Sequence, residues 1–119
     1  MSSPSCRSSG LIVADGLVHK GRCKLISVHG VNYGLTAVGG PSTEAISIVL
    51  YDNGTAGSGK IVASMTLNMS DTAAGSLGAS YEFDMHGVIC TNGLWADVTI
   101  PTAVAGTTGF LSGFTVEFA

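Results

Sequence analysis

The residues best suited to chemistry lie at positions 54–61, where GTAGSGKI follows an apolar run and fits the GxxxxGK frame of a phosphate-binding loop. Such a loop needs a Ser or Thr hydroxyl after the lysine to hold magnesium, and a helix whose first amides face the phosphates. Ile61 stands where the hydroxyl is required, and the residues after it alternate as a strand does. The segment therefore reads as a flexible connection between strands. Glu82 and Asp84 fall on one face of a strand, the spacing of an acid pair or half a calcium site, but no oxygen-rich loop accompanies them. They read as a solvated or subunit-facing edge. His19, His29 and His86 lack helical or hairpin ligand spacing, and read as polar, partly exposed side chains, with His86-Gly87 marking a bend. No serine sits in a GxSxG elbow, and Cys90 has no base near it in sequence. No catalytic, cofactor or metal residue is expected.

The three cysteines, Cys6, Cys23 and Cys90, form neither a CxxC pair nor a zinc knuckle. Cys23 and Cys90 lie in apolar runs and read as buried thiols, which fits a reducing compartment. The first residues, MSSPSCRSSGLIVADG, carry too short an apolar run for a secretion signal, and no stretch reaches the roughly 18 apolar residues of a membrane span. Synthesis in the cytosol is expected.

Stepping from single residues to surface, 45% of the 119 residues are apolar and only 11% are charged. A free domain usually carries about one quarter charged residues, so much of this surface is expected to face protein. Charge is also unevenly placed. Arg7, Lys20, Arg22 and Lys24 crowd the first 24 residues against Asp15, whereas Lys60 is the sole cation of the acidic remainder. Such asymmetry reads either as an arm that docks on an acidic neighbour or as a solvated terminus. Nucleic acid is not expected, because four cations without interleaved aromatics are a weak phosphate footprint and the acidic body repels the backbone.

These residues must be held by strands. EAISIVLYD places Ile46, Ile48 and Leu50 on one face; KIVASMTLNM places Ile61, Ala63, Met65, Leu67 and Met69 on one face. The Asn53-Gly54 turn between them predicts a hairpin or an inter-sheet connection. CKLISVHGV, ASYEFDM, GVIC, GLWADVTI and GFTVEFA continue the pattern, and 17 glycines interrupt any helical periodicity. Trp95 shares its face with Asp97 and Thr99, either as an interface anchor or under a neighbouring loop. The expectation is one all-β domain over residues 10–119, an antiparallel, jelly-roll-like β-sandwich of about seven to nine short strands, behind a flexible N-terminal arm at residues 1–9.

The succession SIVLYDNGTAGSGKIVASM, GVICTNGLWADVT and FTVEFA resembles small β-sandwich structural proteins of tailed bacteriophage virions, most of all the capsid decoration, or cement, proteins. The likeness spans about residues 22–119, and AVAGTTGFLSG is longer than the pattern provides between its last two strands. The resemblance implies a non-enzymatic virion protein without cofactor, forming a homotrimer on the outer capsid and bridging subunits of the major capsid protein. Arg7, Lys20, Arg22, Lys24 and Trp95 are then the candidate partner contacts, with no role for nucleic acid or membrane. Other virion positions, in neck, tail or fibre, remain open. So does a carbohydrate- or receptor-binding module using Trp95, Tyr51 or Tyr81.

Overall fold

A computed structural model describes residues 6–32, 45–67, 79–100 and 112–119. Within them run eight strands: β1 (Arg7–Ile12), β2 (Gly16–Lys20), β3 (Cys23–Asn32), β4 (Ile46–Tyr51), β5 (Ile61–Leu67), β6 (Ala79–Cys90), β7 (Gly93–Thr99) and β8 (Gly113–Phe118). They form two four-stranded sheets of order β1-β8-β3-β6 and β2-β7-β4-β5. Every pairing is antiparallel.

The topology is a nested one. β4 pairs with β5, β3 with β6, β2 with β7 and β1 with β8, and the β8-β3 and β7-β4 contacts then roll this long hairpin into two sheets. That is the jelly-roll arrangement of the expected sandwich.

Period-two alternation produces the core. In β4, Ile46, Ile48 and Leu50 are buried while Ser47, Val49 and Tyr51 lie half-buried on the outer face. Leu25, Val28, Phe114, Val116, Leu94 and Ala96 meet them from both sheets, each large side chain contributing about 1.5–3 kcal/mol by leaving water. Asn32 is buried with them, and its Nδ2 donates to the Leu67 carbonyl across the sandwich at 3.2 Å.

Three expectations need correction. The strand begins at Arg7, so residues 7–9 belong to β1 and not to an arm: Arg7 and Ser8 are register partners of Phe118 and Glu117, and the Ser9 hydroxyl accepts the Val116 amide at 2.9 Å. Ile61 is not on the inner face. The register passes from Leu50↔Ala63 to Tyr51↔Ile61, leaving Val62 as an extra residue, and this bulge turns Ile61 outward beside Tyr51. ASYEFDM and GVIC form a single strand, β6, bent where His86 and Gly87 take positive φ of 53° and 77°. The bend expected at His86 is thus present, and the His86 amide donates to Asp84 Oδ1 at 2.8 Å. Met69 and residues 103–111 of AVAGTTGFLSG lie outside the described residues.

Candidate functional site

The GTAGSGKI segment is a loop-to-strand connection in which the amides of Thr55 and Ala56 are already engaged. Asn53 Oδ1 accepts from the Thr55 amide at 2.8 Å, the Thr55 hydroxyl at 3.1 Å and the Ala56 amide at 3.0 Å. Its Nδ2 donates to the Ser58 carbonyl at 3.0 Å, and β5 rather than a helix follows Lys60. The loop folds back over the outer face of β7, where a Cβ on Gly57 would collide with the Asp97 carboxylate. Trp95 lies half-buried beside it, its Nε1 donating to Asp97 Oδ1 at 2.9 Å. Tyr51 is the register partner of Trp95 on that face.

A cluster that sequence reading missed occupies the outer face of the other sheet. Glu117 Oε1 accepts from the Ser27 hydroxyl at 2.8 Å and from His29 Nε2 at 2.7 Å; Glu117 Oε2 accepts from the Cys6 thiol at 3.3 Å. His29 Nδ1 stands 3.5 Å from Glu82. The hydrogen bond from His29, then those from Ser27 and Cys6, hold the Glu117 carboxyl below its ordinary value. Serine, histidine and glutamate here do not make an acyl-transfer relay. In such a relay imidazole takes the hydroxyl proton; here Ser27 Oγ stands 3.1 Å from His29 Nε2, but that nitrogen donates to the Glu117 carboxylate, which also accepts from Ser27, and Ser27 is buried. The cluster ties β8, β3 and β6 together with Cys6, the residue before β1. Glu82 and Asp84 share this face as expected, paired with His29 and His86 respectively.

Cys23 and Cys90, far apart in sequence, are register partners in the core, both buried and free. Burial pushes both thiols up, Cys90 to about 12 with the neighbouring Cys23 adding to the effect. No group of three metal-ligating side chains occurs among the described residues.

Two surface features remain. The first is apolar. All seven large hydrophobic side chains exposed among the described residues belong to the four sheet edges or the β1–β2 turn: Leu11, Val13 and Leu17 on one flank, Ile61, Tyr81, Phe83 and Ile89 on β5 and β6. Each flank is open between its two edge strands. One cleft of about 220 Å³ reaches Ile48 and Leu50 between Met65 and Phe83. The other, of about 300 Å³, lies between Ile12 and Val18.

The second is cationic. The five lysines and arginines of the chain are all exposed and all stand at one end of the sandwich. Arg7 opens β1 opposite Phe118; Lys20 and Arg22 bracket the β2–β3 turn; Lys24 exchanges backbone hydrogen bonds with Ala119; the Lys60 carbonyl accepts from the Asp52 amide at 2.8 Å. Among the described residues none of the five pairs with a carboxylate. Asp52 binds the turns of this pole together, accepting from the amides of Asn92 (2.8 Å), Thr91 (3.0 Å) and Gly93 (3.3 Å) and from the Thr91 hydroxyl (3.2 Å). Desolvation pushes its carboxyl up, but these donors outweigh it and leave it below its ordinary value. Four of the five expected contact residues, Arg7, Lys20, Arg22 and Lys24, thus gather with Lys60, while Trp95 lies next to the pole on the outer sheet face, half-buried.

Comparison with protein-family models, with curated proteins and with solved structures finds no match to the chain. The reading of its function rests on the residues themselves.

Proposed function

We propose that this chain is a non-enzymatic structural protein of a tailed-bacteriophage virion, a capsid decoration protein that trimerises on the outer shell and bridges major capsid protein subunits. The observation that carries the proposal is the pair of opposed apolar flanks, Leu11–Val13–Leu17 and Ile61–Tyr81–Phe83. Different patches on opposite sides of one molecule associate head-to-tail, and such contacts close into a ring where the rotation between copies closes and extend into a filament where it does not. The low charge of the chain supports the same reading, since burying both flanks covers much of what would otherwise face water. A standard interface of about 1,600 Å² suffices for specific association, and repetition over a lattice multiplies weak contacts.

Light scattering on the purified chain is expected to give a trimer, and co-sedimentation is expected to show binding to assembled shells but not to free capsid subunits. Tyr81→Ser/Phe83→Ser, at positions 60% and 50% exposed, is expected to yield a folded monomer with low shell occupancy. A wild-type monomer, or a variant of unchanged state and occupancy, refutes the reading. Tyr51 and Trp95 on one face favour a second reading, a carbohydrate- or receptor-binding module. Saturable binding of a glycan by the isolated domain would select it.

A further inference from the structure

We infer that the cationic pole is a preformed docking site for a short acidic segment of a partner protein. The inference rests on the assembly reading and names the chemistry of the partner. Arg7, Lys20, Arg22, Lys24 and Lys60 converge there only because nested pairing brings the start of β1, the β2–β3 turn, the entry to β5 and the end of β8 to the same end. Strands lie about 4.8 Å apart and packed sheets about 10 Å apart. The five charges therefore ring an area matched to a few carboxylates of an extended peptide.

The turns of the pole are tied to one another by hydrogen bonds that need no ligand. Asp52 fixes the 91–93 turn, Gly21 donates its amide to the Asn92 carbonyl at 3.0 Å, and Asn53 organises the loop before Lys60. Ordering costs on binding are correspondingly small. Between these turns lies a notch of about 340 Å³ bordered by Lys20, Asp52, Asn53, Gly54, Thr55 and Asn92; Asp52 adds a negative charge to its wall, but its oxygens are engaged by the 91–93 turn, and Lys20 is the group there that can meet an acidic side chain. Arg22, exposed at the turn, presents a guanidinium fork that takes a carboxylate through two parallel hydrogen bonds.

The burial of the neighbouring aromatic rings favours an acidic peptide over nucleic acid. Stacking platforms for single-stranded bases need open aromatic faces, and near the pole Phe118 is buried while Tyr51 and Trp95 are half-buried on the sheet. Glu82, Asp84 and Glu117 on the adjoining face repel any polyanion that runs past the pole, which limits the ligand to a short anionic segment and leaves the choice of peptide to the lack of an open aromatic face. In a ring closed through the flanks, cyclic symmetry places all copies of the pole on the same side, so a single face of the ring carries the cations.

The test is fluorescence anisotropy of labelled octaglutamate against the full chain, with an eight-nucleotide oligothymidylate and octalysine as comparators. Octaglutamate is expected to bind, to weaken about tenfold or more between 20 and 200 mM salt through screening, and to lose binding at least tenfold in Lys20→Glu/Arg22→Glu/Lys24→Glu. All three positions are exposed, and the melting profile of the variant is expected to match wild type. Oligothymidylate is expected to bind more weakly. Equal or tighter binding of oligothymidylate, undiminished binding of octaglutamate by the variant, or no binding at low salt overturns the inference. Tyr81→Ser/Phe83→Ser separates the two proposals: it removes the ring and is expected to leave octaglutamate binding per chain in place.

Discussion

Asp52→Ala removes the acceptor that holds three backbone amides and one hydroxyl of the β6–β7 turn. Hydrogen bonds to a charged acceptor contribute about 1.5–3 kcal/mol each when dry. This carboxylate is only partly shielded and the released amides regain water, so the four together are worth about 2 kcal/mol once screening is counted. For a chain of this size that lowers Tm by on the order of 8 °C. Asp52→Asn keeps the shape and loses the charge, at about half that cost. The carboxyl is held below its ordinary value when folded, so its stabilisation is complete above the unfolded pKa of about 3.9 and disappears as pH falls through the lower folded value. Urea denaturation of wild type, Asp52→Ala and Asp52→Asn at pH 7 and pH 3 measures this. The gap between wild type and Asp52→Asn is expected to narrow at the acid end. Equal stability of all three at pH 7, or a gap that does not change with pH, would falsify the account of the pole as a structure keyed by one carboxylate.

Two further substitutions test packing. A methyl at Gly30 meets Leu67 Cδ1 at 2.7 Å, Phe114 Cε1 at 2.9 Å and Met65 Sδ at 3.0 Å, so Gly30→Ala is expected to cost about 1–2 kcal/mol by overpacking. Leu67→Val in the same chain recovers part of that loss, as a double-mutant cycle followed by thermal melting will show. Gly57→Val is expected to lift the loop from Asp97 and break the Trp95 Nε1 bond; because Trp95 is the sole tryptophan, its emission reports this directly as a shift to longer wavelength.

What the sequence made legible follows from where side-chain pattern and backbone pairing coincide. Ile46, Ile48 and Leu50 alternate with outward residues, so β4 and its face were readable, and the Asn53-Gly54 turn announced the partner strand. Arg7, Ser8 and Ser9 were not readable as a strand. They lie on a sheet edge where polar side chains remain at the surface while the backbone pairs with β8, and pairing of that kind leaves no periodic apolar signal. Ile61 misled for another reason: a bulge shifts the phase by one residue without changing composition. The cationic residues were individually visible, but Arg7, the 20–24 group and Lys60 meet only through the nested pairing. Ser27 and His29 reach Glu117 across 90 and 88 positions, a juxtaposition no local motif encodes.

The nested pairing also sets an order of assembly in time. Only β4–β5 is closed by a short loop; each outer pair brings together segments progressively farther apart, up to Arg7 and Phe118. Closing a loop costs more as it lengthens, by about 0.6 kcal/mol for each doubling, but a pair that closes onto one already formed spans a much shorter effective gap. Folding is thus favoured to zip from the inner hairpin outward, slowly for a chain of this length because so few contacts are local. The β1–β2 flank matures last. A chain still folding therefore offers only one of the two apolar flanks, and the proposed head-to-tail contact would wait until the subunit is complete.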